Sequence, residues 1–189
     1  PKQAKIQVDN IVNTLSQASP QAKDAFTAAG KKYTDQLEDL DKWASDSMSA
    51  VPEQDRVLFS SHDAFGYFSN EYGVKFIGSA LSDFNHQQDA TSSHIDEQVK
   101  KVRESGAKAI FAENSNNSKS IEAIARAAGV KAVTSDDALY GDSLGVPGSE
   151  GETYIGSIVH NINTLVSAWD SKQQPLPESL QEFDFAKRK

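Results

Sequence analysis

From Val57 onward, short apolar runs alternate with segments of helical periodicity, and this alternation limits the fold more than any other feature of the chain. Four runs rich in β-prone residues span 57–61, 74–79, 107–112 and 130–134. Parallel strands joined by helices require right-handed crossovers. The pattern therefore predicts an α/β fold, with a doubly wound parallel sheet of about four strands covered by helices on both faces.

The segments around these strands predict helices. In chain order they span 64–72, about 92 to Gly106, 119–128 and 151–169. Residues 81–91 lack clear periodicity and are predicted to form a loop. The tail from Ser171 is predicted to be extended, with Phe183 and Phe185 packed back on the protein.

Two amphipathic helices are predicted before the first strand. The first covers about 1–17, and the second starts at Ser19-Pro20, a cap followed by a first-turn proline, and continues to about Ser49. Pro52 and the charged residues after it mark a boundary. We therefore expect a helical segment over 1–50 and an α/β lobe over 51–189.

Composition excludes several classes of protein. The 189 residues carry a net charge of −8, with no basic cluster except at 187–189, so no nucleic-acid or anionic-membrane partner is expected. There is no cysteine, which excludes disulfides and thiolate ligands. No stretch approaches the roughly 20 apolar residues of a membrane span. The chain opens on Pro1 without methionine, so we expect a piece of a longer protein, and we expect a monomer.

His62 is the sharpest candidate for chemistry. It follows the first predicted strand, and ligands bind at the carboxyl ends of strands in open parallel sheets. Neutral imidazole there is a common ligand of zinc, manganese or iron, although a histidine that starts a helix or fills the core is an equal alternative. The neighbouring Asp63 is better explained as an N-terminal helix residue, where its charge meets the helix dipole.

Two carboxylates are predicted to reach the same edge of the sheet. Glu113 ends the third strand, which lies beside the first in a 2-1-3-4 order, and it is a candidate to hydrogen-bond a ligating residue rather than to bind metal itself. Asp142 lies in a glycine-rich turn after the fourth strand, where glycines would let the backbone aim one carboxylate inward. The alternative for Asp142 is a turn aspartate that bonds its own backbone.

The remaining candidates are weaker. His86, His94 and His160 are expected to be solvated. The triplet Ser61-His62-Asp63 is contiguous, whereas a catalytic triad needs side chains that converge from separate segments. No nucleophile elbow, phosphate-binding loop or H-E-x-x-H motif is present. An enzyme is therefore not expected.

Three motifs together resemble one known family. SSHDAFGYFSNEYGVKFIG, AIFAENSNNSKSIEAIARAAGVKAV and LYGDSLGVPGSEGETYIGSIVHNINTLVSAW are similar, in this order, to the carboxyl-terminal half of the cluster A-I (cluster 9) substrate-binding proteins of zinc and manganese ABC transporters. The resemblance implies two α/β lobes joined by one long helix, here the segment after Ser19. It also implies a metal clamped between the lobes by two histidines of the amino-terminal lobe, which have no counterpart here, together with His62 and Asp142.

The resemblance implies a role in metal import. The expected protein is the extracytoplasmic component of a bacterial ABC importer, either periplasmic or lipid-anchored, with the metal ion, an ABC permease and its own amino-terminal lobe as partners. Three imidazoles and one carboxylate favour Zn²⁺, with Mn²⁺ as the alternative. Two rival hypotheses are a zinc metallohydrolase lobe with Glu113 as base, and an adhesin or interaction module on the same fold.

Overall fold

A computed structural model describes residues 1–81 and 92–185, and the side chains of residues 92–94 lie outside this description. The chain divides into two compact units, one made of Pro1–Asp46 and Gln174–Lys189 and the other of Ser47–Gln173. The predicted loop after Leu81, the side chains of His86 and His94 and the basic cluster at 187–189 lie outside the described residues.

The first unit is helical. Helix α1 spans Lys2–Ala18, a 3₁₀ turn follows at Pro20–Ala22, and helix α2 spans Lys23–Ser49, entering the second unit at Ser47. The two helices approach closely at Gly30, where an added Cβ would lie 2.3 Å from a methyl group of Val12. This contact explains why a glycine is tolerated inside a long helix, where it otherwise costs about 1 kcal/mol relative to alanine.

The tail of the chain folds within the first unit. It forms a 3₁₀ turn at Glu178–Phe183, and Leu180 is fully buried. The indole of Trp43 donates a hydrogen bond to the carbonyl of Gln174 at 3.2 Å. The predicted extended tail is therefore interrupted by a turn, while Phe183 and Phe185 are half-buried.

The second unit is an alternation of strands and helices, as the sequence predicts. In chain order it contains β1 (Val57–Ser60), α3 (Gly66–Tyr72), β2 (Lys75–Ser79), α4 (Ser92–Ser105), β3 (Ala109–Phe111), α5 (Lys119–Ala128), β4 (Lys131–Val133) and α6 (Tyr154–Ala168). Gly73 and Gly129 end α3 and α5 in the left-handed conformation, which glycine adopts without strain. The predicted α/β class is confirmed.

The strands are parallel and short. Strand β1 pairs with β2, with an irregularity between Leu58 and Phe59, and β3 pairs with β4 from Ala109 opposite Lys131 to Phe111 opposite Val133. Strands β1 and β3 lie in contact, which gives the spatial order 2-1-3-4, but among the described residues no backbone ladder joins them. The single four-stranded sheet expected from the sequence is therefore two two-stranded ladders, and side chains beyond the strand ends connect the halves.

A buried apolar core joins the two ladders. One apolar cluster joins β1, α4, β3 and α5, and its members include Val57, Phe59, Val102, Ile110 and Ile124. Just after α6, the fully buried indole of Trp169 packs edge-on against Phe111 and donates a hydrogen bond to the carbonyl of Val57 at 3.2 Å. Helix α6 is buried nearly all round.

Over the described ranges 1–81 and 92–185, none of the helices is both long enough and apolar enough to cross a bilayer.

Candidate metal centre

The position of His62 follows from the end of β1. The strand stops at Ser60, whose hydroxyl donates a hydrogen bond to the carbonyl of His62 at 2.6 Å and turns the backbone. Helix α3 begins only at Gly66, with Phe65 as its cap residue. The prediction that Asp63 is an N-terminal residue of this helix is therefore wrong, because the helix starts later, and Asp63 is exposed.

His62 and Asp142, 80 residues apart in the chain, meet in the structure. Nε2 of His62 lies 2.6 Å from Oδ2 of Asp142. The His62 side chain is 14% exposed and that of Asp142 is 62% exposed, so the contact lies at the surface end of a partly buried imidazole. One nitrogen and one carboxylate, both common ligands of divalent metals, therefore lie side by side at the carboxyl edge of the strands.

Glu113 lies on the other side of the His62 ring. Its Oε1 accepts a hydrogen bond from the backbone N–H of His62 at 3.0 Å, and its Oε2 lies 2.7 Å from Nδ1. Its own N–H donates to the hydroxyl of Ser61 at 3.1 Å. These contacts bridge β1 and β3 at the place where no backbone ladder does, and the Glu113 side chain has no exposed surface.

Charge and burial oppose each other at this cluster. Burial on its own lowers the pKa of His62, but the adjacent carboxylates of Glu113 and Asp142 outweigh it, and the pKa is raised above its ordinary value of 6.5. Burial raises the pKa of Glu113, and the N–H and charge of His62 offset this only in part. The imidazole between two carboxylates therefore holds its proton more firmly than a solvated histidine.

Asp142 is carried by an irregular segment. We define the Asp142 loop as residues 138–153, between a 3₁₀ turn at Ser135–Asp137 and α6. Its start extends the β3 edge, since Leu139 forms a parallel bridge with Glu113. Further on, Nδ2 of Asn114 lies 3.0 Å from the hydroxyl of Ser143. The loop is thus tied to the residues that follow β3.

Gly141 lets this loop pass close to Glu113. An added Cβ at Gly141 would lie 2.5 Å from Oε2 of Glu113. The glycine adjacent to Asp142 is therefore required for space rather than for an unusual backbone angle.

Sequence reasoning missed several polar residues around the centre. Asn116 places Nδ2 3.2 Å from Nδ1 of His62. The polar run 113–117 directly after a strand was an available signal for Asn114 and Asn116.

The prediction that His160 is solvated is wrong: it is 5% exposed, and Nδ1 lies 2.8 Å from Oε2 of Glu150. Helical periodicity cannot reveal this, because α6 is buried nearly all round.

The arrangement can offer a metal few ligands by itself. Across the described part of the chain, no group of three or more His, Asp and Glu side chains is placed to hold a metal ion. The pair formed by His62 and Asp142 could contribute one nitrogen and one or two oxygens, and a complete first shell would need further ligands.

Comparison with known proteins identifies the family. The model of the ZnuA family, described as zinc-uptake complex component A, periplasmic, matches residues 1–168. The manganese-binding lipoprotein MntA of Bacillus subtilis (strain 168) is 40% identical over 163 residues, which are 85% of this chain and 53% of MntA. The zinc-binding protein TroA of Treponema pallidum (strain Nichols) is 31% identical over 163 residues, which are 85% of this chain and 52% of TroA.

The fold agrees with the sequence match. A solved structure of the periplasmic zinc-binding protein TroA from Treponema pallidum superposes with a TM-score of 0.79 at 30% identity, over 90% of this chain and 61% of that one. The chain spans about half the length of the curated relatives it matches. Family match and fold together confirm the resemblance found in the three motifs, and the chain belongs to the ZnuA family.

Proposed function

We propose that this chain supplies part of the metal site in the extracytoplasmic substrate-binding component of a zinc or manganese ABC importer. The observation that carries the proposal is the 2.6 Å contact between Nε2 of His62 and Oδ2 of Asp142 at the carboxyl edge of the strands. In this proposal both atoms turn to a metal ion, which is the transported substrate, and their mutual contact is replaced by two metal bonds.

Glu113 prepares His62 for that exchange. Nε2 can bind a metal only through its lone pair, so the proton of the neutral ring must lie on Nδ1. Oε2 of Glu113 lies 2.7 Å from Nδ1 and makes no hydrogen bond in the structure, so it can accept that proton when the ring takes the Nδ1–H tautomer. A carboxylate behind a ligating imidazole fixes the tautomer and the ring orientation and raises the basicity of the ligand.

The donor set favours zinc over manganese in affinity. Imidazole nitrogen suits zinc, harder oxygen ligands suit manganese, and zinc stands above manganese in the usual affinity order. Among the relatives, MntA is a manganese-binding lipoprotein and TroA a zinc-binding protein. We therefore propose tighter binding of Zn²⁺, with Mn²⁺ as the alternative cargo.

The remainder of the site and the transport partners lie outside this chain. Because the relatives are about twice as long as the matched region, we propose that an amino-terminal lobe supplies the other ligands and that the metal-loaded protein docks on an ABC permease. Curated relatives are lipoproteins, and the family model describes a periplasmic component, which supports an extracytoplasmic location.

The metallohydrolase hypothesis fits the geometry less well. It requires Glu113 to face a metal-bound water as a general base. Instead Oε1 accepts from the backbone of His62 and Oε2 lies against Nδ1, on the side of the ring away from Asp142. We propose a binding protein rather than an enzyme.

Calorimetric titration with zinc tests the site. Two protein ligands leave most of the coordination shell to water, so we expect weak binding to this chain, removed by His62→Ala and reduced by Asp142→Asn. Asp63→Asn is the matched control, because it removes an exposed carboxylate next to His62, and it should bind as the parent does. Zinc binding that survives His62→Ala unchanged would contradict the proposed site.

A genetic test addresses import. A bacterial strain that carries His62→Ala in the gene for this protein should grow poorly when zinc or manganese is scarce and normally when both are supplied. The Asp63→Asn allele should grow normally in both media. Unimpaired growth of the His62→Ala strain under limitation of each metal would contradict a role in import.

A further inference from the structure

We propose that His160 and Asn161, consecutive residues of α6, are positioning residues that hold the Asp142 loop so that the Asp142 carboxylate meets His62. This inference rests on the proposed function, in which Asp142 binds metal. The loop has no regular secondary structure and Asp142 is 62% exposed, so the carboxylate is not fixed by burial of its own side chain.

Asn161 holds the loop two residues before Asp142. Its Oδ1 accepts a hydrogen bond from the backbone N–H of Tyr140 at 2.8 Å, and its Nδ2 donates to the carbonyl of the same residue at 2.8 Å. A side-chain amide carries an acceptor and a donor in one plane, so it can engage both backbone groups of one residue. With Asn161 1% exposed, this pair of bonds fixes the backbone of Tyr140 against the helix.

His160 holds the two ends of the loop. Its Nε2 lies 3.0 Å from the carbonyl of Ala138, and its Nδ1 lies 2.8 Å from Oε2 of Glu150. The edge of its ring also packs on Tyr140, with 4.9 Å between ring centroids. One buried imidazole thereby links the beginning of the loop to a residue near its end.

The loop closes around the Tyr140 ring. The N–H of Gly145 donates to the carbonyl of Gly151 at 2.7 Å, and a Cβ added at Gly151 would lie 2.3 Å from the Tyr140 ring. Two glycines thus let the loop backbone lie directly on the side chain whose own backbone Asn161 holds. A displacement of Tyr140 would therefore move the whole turn that carries Asp142.

The chemistry of the two residues supports a role beyond filling the core. Helix α6 is otherwise rich in buried apolar residues, and a buried polar side chain costs free energy unless its hydrogen bonds are made. Apart from a 3.4 Å contact between Nε2 of His160 and the hydroxyl of Thr164 on the same helix, the bonds that these two side chains make are directed at the Asp142 loop. The buried polar groups of His160 and Asn161 therefore act mainly to hold one segment, the Asp142 loop, in place.

The test is the zinc affinity of this 189-residue chain, measured by NMR titration, which follows weak binding. Asn161→Ala should weaken zinc binding about ten- to a hundredfold, as loss of groups that orient metal ligands does elsewhere. Asn163→Ala removes an amide two residues further along the same helix and should change the affinity by less than about twofold. Equal affinities of Asn161→Ala and the parent, when Asp142→Asn is weakened, would overturn the proposal.

A double-mutant cycle separates positioning from general loss of structure. If Asn161 acts through Asp142, then Asn161→Ala should cause no further loss of zinc affinity in the Asp142→Asn background. Losses that add in full would show that Asn161 acts on the fold as a whole, and would overturn the proposal. Glu150→Ala, which removes a half-exposed partner of His160, is the variant to use if Asn161→Ala does not fold, with a loss of up to about fivefold expected.

A measurement without metal distinguishes the two proposals. Nuclear Overhauser contacts between the His62 ring and Gly141 protons should be present in the parent chain and lost in Asn161→Ala. Contacts that persist overturn the positioning role, whatever zinc does. Contacts that are lost, together with unchanged zinc affinity of Asp142→Asn, uphold the positioning role and refute Asp142 as a metal ligand.

Discussion

Replacement of Gly141 by alanine tests how tightly the Asp142 loop packs on the buried Glu113. The added Cβ would lie 2.5 Å from Oε2 of Glu113, 3.4 Å from its Cδ and 3.5 Å from Cβ of Ala64. The Glu113 side chain has no exposed surface and accepts a hydrogen bond from the backbone of His62, so it cannot turn aside without losing that bond. An extra methyl group in a packed site costs about 1–3 kcal/mol, and we expect a loss of that size in the free energy of unfolding.

Urea unfolding of the metal-free chain measures this loss. Gly66→Ala is the matched control, because Gly66 opens α3 and an added Cβ would meet nothing within 4 Å. Alanine is favoured over glycine in helices by up to about 1 kcal/mol, so the control should be as stable as the parent or more stable.

The clash with Glu113 can be isolated by a second substitution. In a Glu113→Ala background the added methyl group has room, so Gly141→Ala should cost less there than in the parent. The clash with Glu113 is contradicted if Gly141→Ala is as stable as the parent chain. It is also contradicted if Gly141→Ala loses the same free energy of unfolding with and without the Glu113 carboxylate.

The other predictions concern the core and the protonation of the site. Trp169→Ala should lower the free energy of unfolding by about 3–5 kcal/mol, because the indole is fully buried. Tyr67→Ala, at an 85% exposed position, should change that free energy by less than about 0.5 kcal/mol, and urea unfolding compares the two variants. The pKa of His62 in the metal-free chain, followed by NMR, should lie above 6.5 and should fall in Glu113→Gln; an unraised pKa would contradict the site geometry. Because folding raises this pKa, the contribution of His62 to stability should be present below pH 6.5 and lost as the pH rises through the raised pKa. Urea midpoints of the parent and of His62→Gln at a series of pH values measure this contribution. Protons should also compete with zinc, so zinc affinity should fall as the pH falls through the same pKa.

Local patterns were sufficient to predict the elements of the second unit. Helix α5 has the predicted bounds 119–128 because Ile121 and Ile124 mark a buried face and Gly129 ends the helix in a left-handed conformation. The edge shared by His62 and Glu113 was predictable for a related reason: parallel strands deliver the residues that follow them to the same side of a sheet.

The surroundings of Asp142 could not be predicted in the same way. The loop takes its shape from bonds between side chains and distant backbone, such as those between Asn161 and Tyr140, which are 21 residues apart. Nothing in the spacing of either residue reveals that pairing. The burial of His160 was hidden for another reason, since a helix buried nearly all round has no polar face against which a buried histidine stands out.

The start of α3 and the break in the sheet also depend on tertiary context. No side chain caps α3, so the sequence contained no signal that the helix begins at Gly66 rather than at Ala64. The gap between β1 and β3 is bridged by Glu113 and Ser61, and a side-chain bridge of this kind does not follow from strand periodicity.

The proposed metal site requires His62 to bind the metal through Nε2. Its most direct test is a zinc titration of the ¹⁵N-labelled chain, in which the ring nitrogens of all four histidines are followed by NMR. Zinc should shift the Nε2 resonance of His62 strongly, leave those of His86, His94 and His160 in place, and have a weaker effect in Asp142→Asn. Zinc-induced shifts confined to the other histidines, with His62 unchanged, would contradict it.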